Sequence, residues 1–408
     1  MKAKPLVVLL LLLAVLRLVL MALVPVFDPS EARYATLAAN MARSGDFVVP
    51  HFTHQGVYQS FDGKPPLVFQ AGGLFVKAFG TENKYALQFA VRLFPLLSAA
   101  LLLYLVFLSV RSRADGDTAR LAVAITATTS AFFAAAGISM TDMTLTLSVA
   151  GALLVYDLIE RTQHPWLMRA LVAALLAVGM LTKGPVAIAL FGVGAFADAI
   201  LHQRLKRLFD WRWLVVAPIF LVITVPWFVL VEQRNPGSVW YFFYNENFLR
   251  FVTHDYGDKY GAGREKFRGI AIIWALIATL PWVLLPLAGL KKFIVGGTWR
   301  RSWALLRGMD FALTAAAAIM LFWCLTSRVL LYYLFPVMPL FAVYLALSEE
   351  RELVKRFMKP VAALTALVIT GALIGGMCFS DKMQGDKTPN FQGYYNRYSY
   401  EFYHGPSK

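Results

Sequence analysis

The residues most able to do chemistry are charged side chains set at the edges of apolar runs. Asp28 and Glu31 follow directly on the first such run, and Asp142 sits in "GISMTDMTL" between two others. An ionisable group at membrane depth is costly and usually faces a cavity or a partner. Basic residues occupy comparable places: Arg33, Lys64 in "FDGKPPLVF", Lys183 in "LTKGP", Arg250 in "NENFLRF" and Arg328 in "TSRVLLYYLFPVMP". Pro65 and Pro66 keep the backbone extended behind Lys64, so its head is presented from a stiff loop. Cations at span ends suit a lipid-linked anion such as a phosphate. Plainer readings stand beside this one. Asp28, before Pro29 and three residues ahead of Glu31, also reads as a helix cap, and so does Asp142 beside Thr141. Lys183 also reads as snorkelling into the headgroups, and any lipid phosphate attracts such cations. A cap and a catalyst are compatible, because capping fixes the carboxylate in place.

Other chemistries find little support. His51 and His54 stand three apart in a loop, "PHFTH", and His254 lies in another outer segment, which is weak evidence for a metal site. There is no P-loop, no dinucleotide fingerprint and no HExxH. Cys324 and Cys378 fall in separate apolar blocks, without metal-ligand spacing and with nothing to support a disulfide.

The elements that must position these residues are membrane spans. The chain of 408 residues is 59% hydrophobic and 15% charged, with a mean hydropathy of +0.60. Its apolar blocks run to about 18–22 residues, the length a helix needs to cross a bilayer core. In lipid each block must be a helix to pair its backbone groups. The expected fold is therefore an all-α polytopic membrane protein of about eleven transmembrane helices, near 5–27, 90–110, 119–137, 143–160, 168–182, 184–201, 213–231, 268–290, 310–326, 329–348 and 360–378. The first run is long for a signal-peptide core and lacks a small-x-small cleavage site, so it reads as a retained anchor.

The formal charge of +15 does not call for nucleic acid, because the basic residues gather in short loops. "RSRADGDTAR", "ERTQHPWLMR", "HQRLKRLFDWRW", "KKFIVGGTWRRSWALLR" and "EERELVKRFMK" fall on one side, which is the cytoplasm. The other side receives segments 28–89 and 232–267 and the tail 379–408, around a membrane domain of 1–378. In 28–89, Tyr34, Leu37, Ala38 and Met41 recur at helical spacing, as do Leu67, Phe69, Phe75, Val76 and Phe79. Both series read as juxtamembrane helices with an apolar face in the lipid boundary. The aromatics of "VWYFFYNENFLRF" read as an interface belt, and the polar-aromatic tail as loosely ordered.

Six motifs then fall in a recognisable order: "DPSEARYATLAANMARSGDFVVP", "GKPPL", "TDMTLTL", "GMLTKGP", "YFFYNENFLRF" and "SRVLLYYLFPVMP". Over about 26–345 the chain resembles the bacterial GT-C glycosyltransferases related to the aminoarabinose transferase of lipid A and to protein O-mannosyltransferases. The resemblance implies a polyprenyl-phosphate sugar donor at the outer face of the bacterial inner membrane. It also implies inverting transfer to a lipid A, other envelope glycan or protein acceptor. The family's two acidic residues fall on Asp28 and Asp142, its Lys before Pro on Lys64, and its Glu-His-x-x-Arg-Phe element on Glu246, Asn247, Arg250 and Phe251. Two positions depart from the pattern. Asn247 replaces a histidine that ligates metal in the aminoarabinose branch, and Gly63 replaces the acid before the lysine, with Asp62 one place earlier. Asp62, Glu246 and Asn247 are left as a candidate metal or polar site, for zinc or magnesium. The chain ends soon after its last span, where that branch carries a larger periplasmic domain, so a different sugar or acceptor is expected.

On this resemblance Asp28 is the expected base or acceptor-positioning group, with Glu31 beside it. Asp142 supports the acceptor side or the cationic sugar. Lys64, Arg250, Lys183, Arg328 and Arg33 are expected to hold the donor phosphate, by the charge stabilisation that often contributes most to catalysis in such sites. The rival reading is a transporter or flippase of lipid-linked sugars. It accounts for the spans and Asp142 but poorly for the long first loop, because transporters more often keep their sites on broken helices at the midplane.

Overall fold

The computed structural model describes residues 3–26, 29–54, 57–253, 259–260, 265–286, 309–385 and 397–406. The chain starts as α1 (Ala3–Leu23), and the first outer segment follows as α2 (Ser30–Ser44), a hairpin of β1 (His51–His54) and β2 (Val57–Ser60), and α3 (Leu67–Phe79). The bundle continues through α4 (Lys84–Arg111), α5 (Gly116–Thr128), α6 (Ser130–Ala135), α7 (Thr141–Arg161), α8 (Pro165–Lys183), α9 (Val186–Leu201) and α10 (Arg212–Arg234). A second outer segment, α11, winds from Ser238–Trp240 through a wide π-helical stretch, Tyr241–Leu249, into Arg250–Val252. Then come α12 (Ile270–Ala278), α13 (Phe311–Cys324), α14 (Val337–Leu347), the long α15 (Arg351–Gly385) and the tail helix α16 (Arg397–His404).

Each of the expected spans coincides with a helix or an interrupted one. Among the described residues six helices are long and apolar enough to cross a membrane: α1, α4, α7, α8, α10 and α15. The others are shorter or broken. The stretch 119–137 divides at Thr129 into α5 and α6. The stretch 329–348 begins as a 3₁₀ turn, Leu331–Leu334, before α14. The end of 268–290 lies outside the described residues. Pro95 in α4, Pro218 and Pro226 in α10 and Pro360 in α15 sit inside helices, which bilayer-spanning helices tolerate because neighbours re-satisfy the freed backbone groups.

Helix α7 is the axis of the bundle. Every residue from Thr141 to Ile159 is buried, the polar Thr141, Asp142, Thr144, Thr146, Ser148 and Asp157 included. Asp142 marks its outer end and Asp157 its inner end, about 22 Å apart at 1.5 Å per residue. At the inner end Arg113 pairs with both Asp157 and Asp310, Arg161 pairs with Asp157, and Arg207 reaches Glu160 at 3.4 Å. Three of the basic loops thus meet on one side, as their charge led one to expect. The loop 291–307 lies outside the described residues.

The first outer segment departs from expectation. Tyr34, Leu37, Ala38 and Met41 are indeed one buried face, but that face packs on protein and not in the lipid boundary. A Cβ on Gly73 of α3 would come within 2.9 Å of the Ala38 carbonyl oxygen, so the missing side chain lets α2 and α3 cross in close contact. The tail is also docked over 397–404. Glu401, 4% exposed, accepts from Asn40 Nδ2 at 2.7 Å and from the Thr53 N–H at 2.9 Å. Arg43 donates to the Phe402 carbonyl at 2.6 Å, and Thr36 to that of Tyr398 at 2.7 Å. The hairpin between α2 and α3, paired from His51–Ser60 to His54–Val57, carried no turn signal that the hydrophobic pattern revealed.

Candidate active site

Helix α8 ends at Lys183 because Gly184 adopts φ +85°, a conformation that L side chains rarely reach. A Cβ there would lie 2.4 Å from the Phe242 ring, so only glycine lets α11 close over the end of α8. Lys183 Nζ donates to Asp142 Oδ1 at 2.5 Å. Asp142 makes no capping hydrogen bond at the start of α7, so the ion pair replaces the cap that the sequence allowed. The Lys183 ammonium also lies 4.4 Å from the ring centre of Tyr333 and 5.3 Å from that of Tyr332. Tyr333 Oη accepts from Arg250 Nη2 at 3.2 Å, and Arg250 Nη1 pairs with Glu246 Oε2 at 3.1 Å. Glu246 Oε1 accepts from the Tyr241 hydroxyl at 3.1 Å. A polar chain therefore runs from α7 through α8 and the Tyr332–Tyr333 turn into α11, with Tyr333 between the two cations Lys183 and Arg250.

These groups border an open hollow at the outer end of the bundle, with about 550 Å³ of empty space when the adjoining open solvent is included. Lys64, Lys183, Arg250 and Arg328 supply its cations, Glu246 and Asn247 line it, and Phe242, Trp323 and Tyr333 form its aromatic wall. Asp142 stands one hydrogen bond behind it, through Lys183. Arg328 pairs with Glu265 at 3.2 Å. Among the expected site residues, Lys64, Lys183, Arg250, Arg328, Glu246 and Asn247 are thus brought together, while Asp28 and His254 lie outside the described residues.

Glu31 and Arg33 fall elsewhere. Glu31 is 4% exposed and binds Arg92 Nε at 2.7 Å and Nη2 at 3.0 Å. It also accepts from the Ser139 N–H at 3.1 Å. Arg92 in turn donates to the carbonyls of Met21 and Pro25 at 2.8 and 2.9 Å. A carboxylate so fully engaged is a strut between α2, α4 and the end of α1, which is a correction to its reading as an acid beside Asp28. Arg33 is packed among the rings of Tyr34, Phe61 and Tyr398, at 5.3, 5.9 and 6.0 Å from their centres, and does not line the hollow.

Lys64 is held differently from the other cations of the hollow. Its ammonium donates to the Tyr34 hydroxyl and lies 4.6 Å from the centre of that ring. Among the described residues it has no carboxylate partner. Burial works against ionisation of Tyr34. The charges of Lys64 and Arg33 outweigh that effect and bring its pKa down to about 8. Tyr260 and Tyr241, in the second outer segment, are pushed upward, chiefly by burial.

The candidate metal position does not fit a dication. Asp62 Oδ1 accepts from Asn235 at 2.8 Å and Ser238 at 3.0 Å, and its Oδ2 pairs with Lys259 at 3.0 Å. Glu246 is taken by Tyr241 and Arg250, and Asn247 donates to the Phe242 carbonyl at 2.8 Å. Each carboxylate already faces a fixed cation that would repel a metal, and no three His, Cys, Asp or Glu residues converge among the described residues. His51 and His54 turn instead to the Val49 carbonyl and the Tyr398 hydroxyl, each at 2.9 Å.

Sequence reasoning did not single out Tyr34, Tyr241, Phe242, Trp323 or Tyr333. Tyr34 passed as part of an apolar helix face, and the others as belt or span residues. The signal available for Tyr34, Tyr241, Phe242 and Tyr333 was their place inside the quoted motifs, whereas Trp323 lies outside all of them.

A bundle of membrane helices with this outer hollow defines a multi-pass membrane protein of the GT-C class. It superimposes on the crystal structure of ArnT from Cupriavidus metallidurans bound to undecaprenyl phosphate with a TM-score of 0.70 at 20% identity, over 99% of this chain and 76% of that one. The Archaeoglobus fulgidus oligosaccharyltransferase in its apo form gives a TM-score of 0.52 at 14% identity, over 100% of this chain and 60% of that one. The family model for dolichyl-phosphate-mannose-protein mannosyltransferases matches residues 4–242, and the chain belongs to that family. Undecaprenyl phosphate-alpha-4-amino-4-deoxy-L-arabinose arabinosyl transferases are similar to it. The one from Pectobacterium carotovorum is 28% identical over 286 residues, 68% of this chain and 46% of its own length. That from Edwardsiella ictaluri is 28% identical over 333 residues, covering 80% and 56%. The chain spans about half the length of these relatives.

Proposed function

We propose that the chain is a membrane glycosyltransferase that takes a sugar from a polyprenyl-phosphate donor. It passes the sugar, with inversion, to an acceptor hydroxyl or phosphate on lipid A, another envelope glycan or a protein. The reaction takes place on the periplasmic face of the bacterial inner membrane, and the membrane domain 1–378 carries it. The observation that supports this reading is the hollow, where Lys64, Lys183, Arg250 and Arg328 converge from separate elements beside an aromatic wall. That is a seat for an anion joined to an apolar chain. The relatives named as arabinosyl transferases, and the solved relative that holds undecaprenyl phosphate, point the same way.

In the reaction the acceptor oxygen forms a bond to the anomeric carbon while the bond from that carbon to the phosphate oxygen breaks. The acceptor proton goes to Asp28, and the lipid phosphate leaves with its electron pair. Arg250, held in register by Glu246 and Tyr333, grips the phosphate through its fork, and Lys64 and Lys183 neutralise the charge that develops on leaving. Asp142, paired with Lys183, fixes that ammonium at the edge of the hollow.

The test is purified protein in liposomes supplied with a polyprenyl-phosphate sugar and lipid A. Free polyprenyl phosphate and a glycosylated acceptor are the expected products. Donor crossing the bilayer uncleaved would replace the transferase by a transporter.

A further inference from the structure

The four cations around the hollow are not equivalent. Lys183 faces Asp142 at 2.5 Å, Arg250 faces Glu246 at 3.1 Å and Arg328 faces Glu265 at 3.2 Å. Lys64 leans on a phenol. Among the described residues its other two N–H groups meet no acceptor and remain for a ligand, since an ammonium carries three donors. A neutral phenol orients that ammonium without cancelling it, whereas a phenolate would make a closed ion pair. We propose that Tyr34 is a positioning residue for Lys64: it aims the ammonium into the hollow, and its phenolic proton is the switch that keeps the Lys64 charge available to the phosphate of a lipid-linked ligand.

This inference rests on the phosphate-binding role proposed for the hollow, and the geometry around Tyr34 carries it further. Tyr34 is 3% exposed, stacked on Phe69 at 5.3 Å and edge-on to Phe61 at 6.4 Å, so the ring has no freedom to turn its hydroxyl elsewhere. The charged groups that face it are Lys64 from the loop before α3, Arg33 from α2 itself and Asp142 from α7. Tyr398, Tyr260 and Tyr332 face it at one remove, through Arg33. The two cations favour the phenolate and Asp142 opposes it, which places the pKa at about 8, within reach of ordinary buffers. The sign follows. Below this value the phenol is protonated and Lys64 carries a full net charge. Above it the pair Tyr34⁻–Lys64⁺ is neutral and the hollow loses one unit of attraction for a phosphate.

The experiment titrates binding of a short prenyl monophosphate to the detergent-solubilised full chain, followed by intrinsic tryptophan fluorescence, between about pH 7 and pH 9.5. The native protein is expected to bind about tenfold more weakly at pH 9 than at pH 7. Tyr34→Phe is expected to bind severalfold more weakly at about pH 7 but to hold that affinity flat across the range. In parallel, the near-ultraviolet absorbance of tyrosinate should show one early-ionising tyrosine in the native protein that Tyr34→Phe lacks. An equal alkaline loss in Tyr34→Phe, or no difference in tyrosinate absorbance between the two, overturns the proposal. Failure of the native protein to bind prenyl phosphate at any pH overturns instead the phosphate-binding role of the hollow, and the tyrosinate comparison still decides the state of Tyr34.

Discussion

Asp142 and Lys183 form a 2.5 Å ion pair that ties the outer end of α7 to that of α8, with their side chains 4% and 10% exposed. Removing one partner from such a buried pair strands a charge, at a cost of about 3–5 kcal/mol, whereas removing both restores a neutral interior. Lys183→Met is therefore expected to lower the thermal midpoint in detergent sharply. Asp142→Asn with Lys183→Met should recover most of the loss and still transfer no sugar. Recovery of activity along with stability would show that the pair only braces the bundle.

Arg250 separates charge from shape. Its two terminal nitrogens are divided between Glu246 and Tyr333, so its position is fixed before a ligand arrives. Arg250→Lys keeps the charge and loses the fork. A rise of roughly tenfold in the donor KM, with a smaller change in kcat, is expected from steady-state transfer assays. An unchanged KM would remove Arg250 from the phosphate seat.

Asp28→Asn tests the base. The variant is expected to insert and fold normally but to lose transfer by about 10²–10⁴-fold, the usual worth of a well-placed general base. Full activity would end its assignment.

Glu31 and Arg92 predict the opposite phenotype. Their 2.7 Å contact is buried on both sides, at 4% and 2% exposure. Arg92→Met should destabilise the folded protein by about 3–5 kcal/mol and lower its yield, with the surviving fraction defective because the segment before α2 loses its strut. A variant of normal thermal stability would contradict that role.

Chelation gives the last test. Asp62 and Glu246 already face Lys259 and Arg250, so prolonged treatment with a chelator should leave both transfer and thermal midpoint unchanged. Loss of stability on chelation, restored by zinc, would show a metal that the donor set argues against.

The fold was legible because its signals are long and one-dimensional: apolar runs mark spans, and lysine and arginine mark the loops, three of which meet at one end of α7. The cations of the hollow were legible for a related reason, since a charge beside an apolar run must be explained. Glu31 shows where this fails. Its spacing after Asp28 marked it as a cap or an acid, but its partner, Arg92, lies inside the second span, and nothing in the order of residues announces a pairing across sixty positions. Tyr34 failed differently. Its helical spacing with Leu37 and Met41 was read as apolarity alone, and the phenol oxygen, its functional atom, has no signature in a hydrophobic pattern. The face that those residues form met α3 and α16 and not lipid, because Gly73 admits close crossing and because Glu401 supplies a buried anchor from the far end of the chain.

The docking of α16 bears on biogenesis. Asn40, Arg43 and Thr36 find their partners in residues 398–402, more than 350 positions downstream. Contacts of such long separation close late. The platform that carries Tyr34 therefore waits, during synthesis, for α16 to emerge and dock. Nascent chains halted before α16 should expose α2 to protease while their inserted helices are already protected.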